Sequence, residues 1–476
     1  MGARVARKGM MESSVLAVGS EMKSAGASHK VGVISLGCPK NLVDTERILA
    51  LLQKAGYTIT PRAREADLLL VNTCAFIQSA QEESIEAILE MARFKENGSR
   101  KALIAVGCLP QRYGQELADQ MPEVDAWVGV GQTAKVIQVC NSLLSGDGSQ
   151  VKGHFFSPGA FEDSGGLPRL LCTPSHYAYL KIAEGCRNLC SYCVIPSIRG
   201  DLQSRPLPSL LEEAEELAGR GVKELILVAQ DLGNYGRDLT PPVTLIRLLE
   251  GLCRVEGLQW VRMLYMHPAH LPEGLISLWA NEPKICPYLD LPLQHIDDKI
   301  LRAMNRPVTS AQVRDLIARL RTLLPYLSLR TTVLVGFPGE DEAQFSALVD
   351  FIQEVEFDHL GAFAYSKEEG TEAARMKDQV PRRVQEARLR SLTETQAAIS
   401  RKKNQALVGT TQKVLIDGAA SPESPFWKGR TSRQAPEIDG VVYVSKTSGA
   451  PGEFMEVRII EADTYDLVGE RLAGVA

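Results

Sequence analysis

The stretch YLKIAEGCRNLCSYCVIPSIRG (residues 179–200) sets three cysteines, Cys186, Cys190 and Cys193, directly after a buried β-strand pattern. Their C-x₃-C-x₂-C spacing lets three thiolates hold three irons of a cubane 4Fe-4S cluster, which leaves the fourth iron open for a small molecule. A structural zinc site needs four ligands, and no fourth cysteine or histidine follows closely. Two alternatives stay open from spacing alone: a zinc knuckle that borrows a distant ligand, and three ordinary thiols.

The strand that opens this stretch is the first of a β/α series over residues 172–402. Its clearest further strands are ELILVAQD, YLDLPLQH, LSLRTTVLVGFPGE and DHLGAFAYS, and helical patterns such as SLLEEAEELAGRG separate them. Several parallel strands with interposed helices over this length predict a full or partial (β/α) barrel. In such barrels the active-site loops lie at the carboxyl ends of the strands, which is where the three cysteines are placed.

Polar and small residues at the other predicted strand ends are candidates for binding a cofactor. Together with the tyrosine inside the cysteine motif they are Tyr192, Gln230, Asp231, Gln294, Gly336, Pro338 and Gly339. The glycines would let the backbone approach a nucleoside closely. An ordinary role in a turn, a cap or packing explains each of them equally well. His267 and His270 also lie near a strand end, where we expect hydrogen-bonded structural histidines rather than ligands.

A second cysteine triplet lies in the preceding segment, residues 30–145. Strands VGVISLG, DLLLVNT and ALIAVG alternate with helical patterns, which predicts a parallel sheet built from right-handed crossovers. Cys38, Cys74 and Cys108 each follow one of these strands. Because neighbouring parallel strands bring their carboxyl ends to one edge, we expect the three thiols to converge. The alternative is a coincidence of three small buried residues, since free cysteine is often buried.

Three further segments complete the organisation of the chain. Residues 1–29 are predicted to form a flexible extension, and residues 146–171, rich in Gly, Ser and Pro, to form a linker. Residues 403–476 contain the short strand patterns TQKVLIDG, GVVYVSK, GEFMEVRIIEA and YDLVGERL, which predict a small antiparallel β-barrel. The predicted fold class is therefore α/β multidomain.

The composition of the chain indicates the class of protein and the compartment in which it is expected. The 476 residues carry a net charge of −5 with 45% hydrophobic residues, an ordinary globular balance without a basic field for nucleic acid. No apolar run reaches the length of a membrane helix, and the first thirty residues hold no sustained apolar segment. We therefore predict a cytoplasmic protein whose ten cysteines stay reduced, where spaced cysteines indicate metal or redox chemistry.

The stretch 179–200 resembles the signature of the radical S-adenosylmethionine (SAM) superfamily. The resemblance implies that the amino and carboxylate groups of SAM chelate the open iron. It also implies that reductive cleavage of SAM releases a 5′-deoxyadenosyl radical, which abstracts a hydrogen atom. The missing ligand would then be SAM itself.

Taken with this stretch, SLGCPKNLVDTE, VNTCAFI and AVGCLPQRYG resemble the methylthiotransferases, a branch of that superfamily, from about residue 30 to the carboxyl terminus. The resemblance implies a second 4Fe-4S cluster on Cys38, Cys74 and Cys108, and a TRAM domain as the terminal barrel. One SAM would methylate a sulfur on this auxiliary cluster and another would supply the radical, so that C–H becomes C–SCH₃. Ala75 departs mildly from the family pattern, in which a glycine is common after this cysteine.

The family has two substrate classes: an adenosine in tRNA, and the β-carbon of an aspartate in ribosomal protein S12. CPKNLVDTE, DLPLQHID, AYSKEEGT and GRTSRQAPEIDG resemble the second branch. Residues 404–476 contain seven Lys/Arg and ten Asp/Glu, a net charge of −3 that disfavours tRNA and suits a basic protein partner. The implied partners are S12, a reducing electron donor and a sulfur source. A non-catalytic metal scaffold that presents its barrel to RNA is the alternative, and it would not cleave SAM.

Overall fold

The computed structural model describes residues 29–95, 101–144, 154–155, 168–445 and 449–472. The predicted extension 1–29 lies outside the described residues except for His29, as does most of the predicted linker 146–171. The chain divides into two compact units. The first contains the residues up to Thr173 together with Glu184–Asn188 and Cys193–Gln203, and the second contains Pro174–Ala183, Leu189–Tyr192 and the residues from Ser204 onward.

The first unit is built on a six-stranded parallel sheet of order β2-β1-β3-β4-β5-β6. Its strands are β1 (Lys30–Ser35), β2 (Thr58–Ile59), β3 (Leu68–Thr73), β4 (Ala102–Gly107), β5 (Ala126–Val128) and β6 (His154–Phe155). Its helices are α1 (Pro39–Lys54), α2 (Gln78–Ala92), α3 (Cys108–Gln120), α4 (Thr133–Leu144) and the short α5 (Ile195–Arg199). All six residues of β3 are buried, because apolar clusters cover both faces of the sheet. The predicted parallel α/β architecture is confirmed.

Both described pieces of the predicted linker, residues 146–171, contact the first unit. His154 and Phe155 form the edge strand β6, which pairs in parallel with β5. Arg169 makes a fully buried ion pair with Glu46 of α1, and the Leu170 N–H donates to the Glu46 carbonyl at 3.1 Å. The Gly- and Ser-rich composition concealed these contacts, because a two-residue strand and a single buried arginine leave no periodic pattern in the sequence.

The second unit contains six parallel strands with helices between them. The strands are β7 (Tyr177–Lys181), β10 (Glu224–Val228), β11 (Trp260–Met263), β12 (Tyr288–Asp290), β13 (Ser328–Val335) and β14 (His359–Ala364), while the two-residue strands β8 (Ala183–Glu184) and β9 (Gln203–Ser204) flank the cysteine loop. The helices are α6 (Leu207–Gly219), α7 (Leu245–Cys253), α8 (Leu275–Asn281), α9 (Asp298–Ala303), α10 (Ser310–Leu323), α11 (Glu342–Val355) and α12 (Arg382–Gln405).

These six strands form two three-stranded sheets, β11-β10-β7 and β12-β13-β14. The segment before β12 joins them, because the Cys286 N–H donates to the Val261 carbonyl at 2.9 Å. The resulting order is β7-β10-β11-β12-β13-β14, and among the described residues β7 and β14 each pair with a single barrel strand. The structure therefore has the partial version of the predicted (β/α) barrel, open along one side.

The chain ends in a closed five-stranded barrel of order β15-β16-β17-β19-β18. Its strands are β15 (Thr411–Ala419), β16 (Phe426–Thr431), β17 (Val442–Ser445), β18 (Phe454–Ala462) and β19 (Leu467–Arg471). The predicted small barrel is confirmed with one correction, since β17 and β19 pair in parallel while the other four pairs are antiparallel. Closure of the barrel requires this parallel pair, and no local pattern in the sequence predicts it.

A buried ionic network joins the terminal barrel to the (β/α) barrel within the second unit. Glu224, at the start of β10, is fully buried and accepts from Arg262 Nε at 2.7 Å and lies 2.8 Å from Arg430 Nη1 of β16. Arg430 also contacts Asp417 through Nε at 2.7 Å. Burial opposes the charge on Glu224, but the two guanidinium groups hold the pKa of this carboxyl below its ordinary value. The two barrels are therefore fixed together by paired charges.

None of the helices in the described ranges is both long enough and apolar enough to cross a membrane.

Candidate functional site

Three cysteines meet at the carboxyl edge of the sheet in the first unit. Cys38 is the residue before α1, Cys74 follows β3 directly and Cys108 is the first residue of α3, directly after β4. Strands β1, β3 and β4 are neighbours in the sheet, so the predicted convergence is present in the structure. A Cβ added to Gly37 would lie 2.7 Å from Cys74 Cβ and 3.1 Å from its Sγ, so only glycine fits beside Cys38.

Buried amide side chains hold the loops that carry these cysteines. Asn41 of α1 donates through Nδ2 to the Leu36 carbonyl at 3.1 Å and to the Thr73 carbonyl at 2.8 Å. Asn72 of β3 donates in turn to the Asn41 carbonyl at 3.0 Å. Because every donor of these buried amides has a partner, the loops after β1 and β3 are tied to each other.

The electrostatics differ among the three thiols. Burial opposes ionisation of Cys38, but the positive charges of Lys40 and Arg199 and nearby backbone N–H groups hold the pKa of this thiol below its ordinary value. Burial, and then the neighbouring Cys108, raise the pKa of Cys74 to about 12. Burial also raises the pKa of Cys108, although Arg199 opposes it. Binding of a metal cluster would therefore have to displace protons from at least two of the thiols.

The donor set at the sheet edge consists of thiols, which are the usual ligands of iron–sulfur clusters. Among the described residues, no three His, Cys, Asp or Glu side chains are arranged to hold one metal ion. Thiolates around one zinc ion lie roughly 3.8 Å apart, as follows from tetrahedral bonds of about 2.3 Å. A cubane cluster is larger and binds thiolates that are further apart, and cysteine is its usual ligand. The three cysteines at the sheet edge therefore match such a cluster in ligand type.

Two cysteines of the C-x₃-C-x₂-C motif belong to the first unit. Cys186 Sγ accepts a hydrogen bond from the Asn188 N–H at 3.4 Å, and Cys193 Sγ accepts one from the Ile195 N–H at 3.5 Å. Backbone donors aimed at cysteine sulfur are a common feature of iron–sulfur sites. Gly185 has φ +70°, and a Cβ there would lie 1.9 Å from the Asp201 carbonyl oxygen, so the turn before Cys186 requires glycine.

The third cysteine, Cys190, belongs to the second unit together with Tyr192. Arg306 Nη1 lies 3.9 Å from Cys190 Sγ and 3.4 Å from the Tyr192 hydroxyl, and Nη2 donates to the Pro292 carbonyl at 2.5 Å. The ring of Tyr192 packs edge-on against Phe337, with centroids 6.5 Å apart. Of the two interpretations of Tyr192, the geometry supports packing, and its contact with a cofactor stays a prediction.

Asp231 makes several hydrogen bonds within and beside its own loop. Its Oδ1 accepts from the N–H groups of Gly233 and His267 at 3.0 and 3.2 Å, and its Oδ2 accepts from Asn234 at 2.9 Å and contacts His270 Nδ1 at 2.7 Å. This carboxylate therefore holds the loop after β10, and its contact with a cofactor stays a prediction. Gln230, directly before it, is partly exposed and stays a candidate for binding a cofactor.

His267 and His295 lie at barrel strand ends with similar local geometry. His267 Nδ1 accepts from the Ala269 N–H at 3.1 Å and His295 Nδ1 from the Asp297 N–H at 3.0 Å, so each ring caps the turn that follows it. Their Nε2 atoms are buried without a hydrogen-bond partner among the described residues. Burial, and then the charge of Arg306, lower the pKa of His267 to about 3, and burial lowers that of His295 to about 4.

The remaining predicted strand-end residues are held by the backbone. Gln294 has φ +72° and lies between strands, since its N–H donates to the Thr332 carbonyl and its carbonyl accepts from the Leu334 N–H, both at 2.8 Å. Gly336 has φ +71°, and a Cβ there would lie 2.4 Å from Cγ of Gln385, a residue of α12. A neighbouring helix therefore already explains this glycine.

Two residues of this loop still suit a ligand that approaches the backbone. Gly339 has φ +82°, and the position that a Cβ would take there has nothing within 4 Å, while Pro338 beside it is buried. The space at Gly339 is compatible with the predicted approach of a nucleoside, which stays a prediction.

Arg199 is the main site residue that the sequence patterns did not single out. It ends α5, six positions after Cys193, and its guanidinium donates to Cys108 Sγ at 3.3 Å. Arg199 follows Cys193 in the chain but contacts Cys108, which belongs to the triplet at the sheet edge and lies 91 residues earlier. This contact is therefore visible only in the three-dimensional fold.

Family models match three successive parts of the chain. Residues 30–129 match the uncharacterized protein family UPF0004, residues 180–352 match the Radical SAM superfamily, and residues 408–472 match the TRAM domain. A solved structure of the radical SAM methyltransferase TsrM from Kitasatospora setae, with tryptophan and a SAM analogue bound, superposes with a TM-score of 0.55 over 78% of this chain and 89% of that chain. Its 14% sequence identity makes this a likeness of fold alone. Fold and site thus define a radical SAM protein with an added cysteine-bearing sheet domain.

Curated relatives are similar to this chain over nearly its full length. A protein of Geobacter sulfurreducens is 48% identical over 94% of this chain and 99% of its own length, and one of Syntrophus aciditrophicus is 49% identical over 92% and 98%. Both are named ribosomal protein uS12 methylthiotransferase RimO. The chain belongs to the RimO family of radical SAM methylthiotransferases.

Proposed function

We propose that this chain attaches a methylthio group to the β-carbon of an aspartate in ribosomal protein S12. The observation that carries the proposal is the near end-to-end match to proteins named for that activity, at 48% identity over 94% of the chain. The convergence of Cys38, Cys74 and Cys108 supports it, because a radical SAM enzyme without a second cluster would not need them. The enzyme would act where ribosomes are, in keeping with the predicted cytoplasmic location.

We propose two 4Fe-4S clusters, one on each cysteine triplet. Cys186, Cys190 and Cys193 would hold the cluster that binds SAM, and the triplet at the sheet edge would hold the auxiliary cluster. When bound, the clusters and SAM together would supply hydrogen-atom abstraction from the substrate carbon and the sulfur and methyl that replace the hydrogen. A reducing electron donor and a sulfur source would complete the requirements.

The chain's own residues bind and orient these groups. The backbone N–H groups of Asn188 and Ile195 point at two cysteine sulfurs and stabilise their thiolate form. Asn41 fixes the loops that carry the sheet-edge thiols, and burial of Cys74 and Cys108 excludes water from these two thiols. The residues proposed to contact SAM stay those predicted from the sequence: Tyr192, Gln230, Asp231, Gln294, Gly336, Pro338 and Gly339.

We retain the predicted domain boundaries 30–145, 172–402 and 403–476, with residues 146–171 as the linker, as part of the proposal. The family matches fall inside these ranges. The terminal barrel carries excess negative charge, which suits a basic ribosomal protein better than tRNA phosphates.

A side-by-side assay tests the substrate. The anaerobically reconstituted full-length protein, SAM and a reductant would be offered S12 and an adenosine-containing tRNA, and both products would be weighed by mass spectrometry. We expect a methylthio gain on an aspartate of S12 alone. A gain on the tRNA alone would retain the chemistry and assign the chain to the tRNA branch, and no cleavage of SAM would leave a non-catalytic scaffold.

Cysteine variants test the ligand assignment. Cys108→Ala should lose about half of the iron, since one of two four-iron clusters would be gone, and should still cleave SAM without transferring a methylthio group. Cys190→Ala should lose a similar share of iron together with all SAM cleavage. The matched control is Cys140→Ala, a buried thiol of α4 outside both triplets, which should retain the full iron content. Unchanged iron in the Cys108 variant would contradict the auxiliary cluster.

A further inference from the structure

A buried arginine connects the two cysteine-bearing segments of the first unit. The side chain of Arg199 is only 2% exposed. Its Nη1 donates to both carboxylate oxygens of Glu184, at 2.9 and 2.8 Å. Its Nη2 donates to Asn41 Oδ1 and to Cys108 Sγ, the latter at 3.3 Å. One guanidinium therefore joins a carboxylate two residues before Cys186 to a thiol at the sheet edge.

The contact with sulfur is more than Glu184 requires. A buried arginine and carboxylate satisfy each other's charge through a paired, fork-shaped hydrogen bond on one edge of the guanidinium. Here Nη1 alone reaches both carboxylate oxygens, and Nη2 is directed to the edge where the three cysteines meet. The planar fork of arginine makes this division possible, since its donors point in fixed and different directions.

Hydrogen bonds to cysteine sulfur are one of the properties by which a protein sets the reduction potential of an iron–sulfur cluster. A donated N–H draws electron density from the thiolate and favours the reduced, more negative state of the cluster. A guanidinium adds a positive charge that acts in the same direction and is poorly screened when buried. Nη2 supplies both effects to Cys108.

We propose that Arg199 is a positioning residue of the auxiliary cluster. Its guanidinium donates a hydrogen bond to the Cys108 sulfur and so raises the reduction potential of that cluster. The inference rests on the proposed function, because it takes Cys108 to be a cluster ligand. It adds a residue from the segment of the other triplet to the surroundings of the auxiliary cluster. Glu184 serves to aim the guanidinium, and Asn41 shares its second nitrogen.

The conservative variant Arg199→Lys separates this role from a purely structural ion pair. Lysine keeps the positive charge opposite Glu184, but its compact ammonium lacks the fork that serves the carboxylate and the sulfur together. A structural ion pair would therefore survive with the cluster unchanged. The loss of the hydrogen bond to sulfur would instead shift the reduction potential.

The measurement is a redox titration of the full-length, anaerobically reconstituted protein, followed by electron paramagnetic resonance. Alanine replaces Cys186, Cys190 and Cys193 in the starting protein, so that the auxiliary cluster gives the only signal. We expect Arg199→Lys to move the midpoint to a more negative potential with unchanged iron content. The control Arg187→Lys, in an exposed ion pair of the same segment, should leave the midpoint in place.

The outcomes distinguish the inference from the proposed function. If the starting protein holds no cluster, the ligand assignment in the proposed function fails. If it holds a cluster whose midpoint is the same with Arg199→Lys, the ligand assignment stands and the role of Arg199 is overturned. If the lysine variant does not assemble a cluster, the double variant Glu184→Gln/Arg199→Met, which removes both buried charges and the donor, takes its place with the same two interpretations of the midpoint.

Discussion

Two buried histidines should make the second unit sensitive to mild acid. His267 and His295 are 6% and 0% exposed, and each uses Nδ1 to cap the turn that follows a barrel strand. Both pKa values are depressed, to about 3 and about 4. Their contribution to stability is complete above the ordinary histidine pKa of about 6.5. It is lost as the pH falls towards the pKa values of the folded protein, because in that range the unfolded chain binds protons at these histidines and the folded chain does not.

The size of the effect follows from the two pKa values. At pH 5 an unfolded histidine is almost fully protonated while the buried one is neutral, which costs about 1.5 pKa units, or about 2 kcal/mol, for each residue. Both together amount to about 4 kcal/mol, a large part of the 5–15 kcal/mol by which domains are typically stable. Carboxylate titration adds a further loss below about pH 5, so pH 7.5 and pH 5 are the informative pair.

The assay is urea unfolding followed by tryptophan fluorescence at those two pH values. The double variant His267→Asn/His295→Asn should lose about 4 kcal/mol less than the wild type between pH 7.5 and pH 5. Asparagine keeps a side-chain acceptor for the following N–H, so the caps survive without a titrating group. His29→Asn, an exposed histidine in the first unit, is the control and should keep the full loss. An equal loss in wild type and double variant would refute the argument.

The remaining predictions concern stability. Gly107→Ala should destabilise the first unit by more than about 2 kcal/mol in urea unfolding, because its φ is +97° and a Cβ would lie 2.4 Å from a neighbouring side-chain oxygen, whereas Gly56→Ala, with φ +91° and open space, should cost about 1 kcal/mol. Equal losses of stability in the two variants would show that the neighbours of Gly107 move aside at little cost in free energy. Arg430→Met should cost about 3–5 kcal/mol by leaving Glu224 short of one partner, against less than about 1 kcal/mol for Arg382→Met in an exposed pair. A loss below 1 kcal/mol in both would mean that water enters the network.

Much of the architecture could be predicted from local patterns. Continuous apolar runs such as LLLVNT marked strands buried on both faces, and turn-separated strands marked the terminal barrel. Parallel topology then brought Cys38, Cys74 and Cys108 to one edge, since strand order follows from crossover rules rather than from side-chain detail. The strand positions of the cysteines therefore predict which three residues lie together at the sheet edge.

The rest depended on contacts between distant segments. Asp231 carries a strand-end pattern that suggests a ligand, but its oxygens are taken by its own loop and His270. Gly336 makes room for Gln385, 49 residues later, a neighbour that no periodicity identifies. Arg199 reaches Cys108 from 91 residues away in the chain. Such pairings are decided by packing in three dimensions, which sequence spacing does not encode.

The pairing of Glu224 with Arg430 has a consequence for how the terminal barrel can be inherited or exchanged. A barrel transplanted from another protein would bring its own residue to the position of Arg430, and any uncharged one would leave the buried Glu224 with one guanidinium partner, Arg262, instead of two. Exchange of this barrel alone should therefore cost stability unless the acid in β10 is exchanged with it. We therefore expect the two barrels to be inherited together, even though more than two hundred residues separate the paired charges.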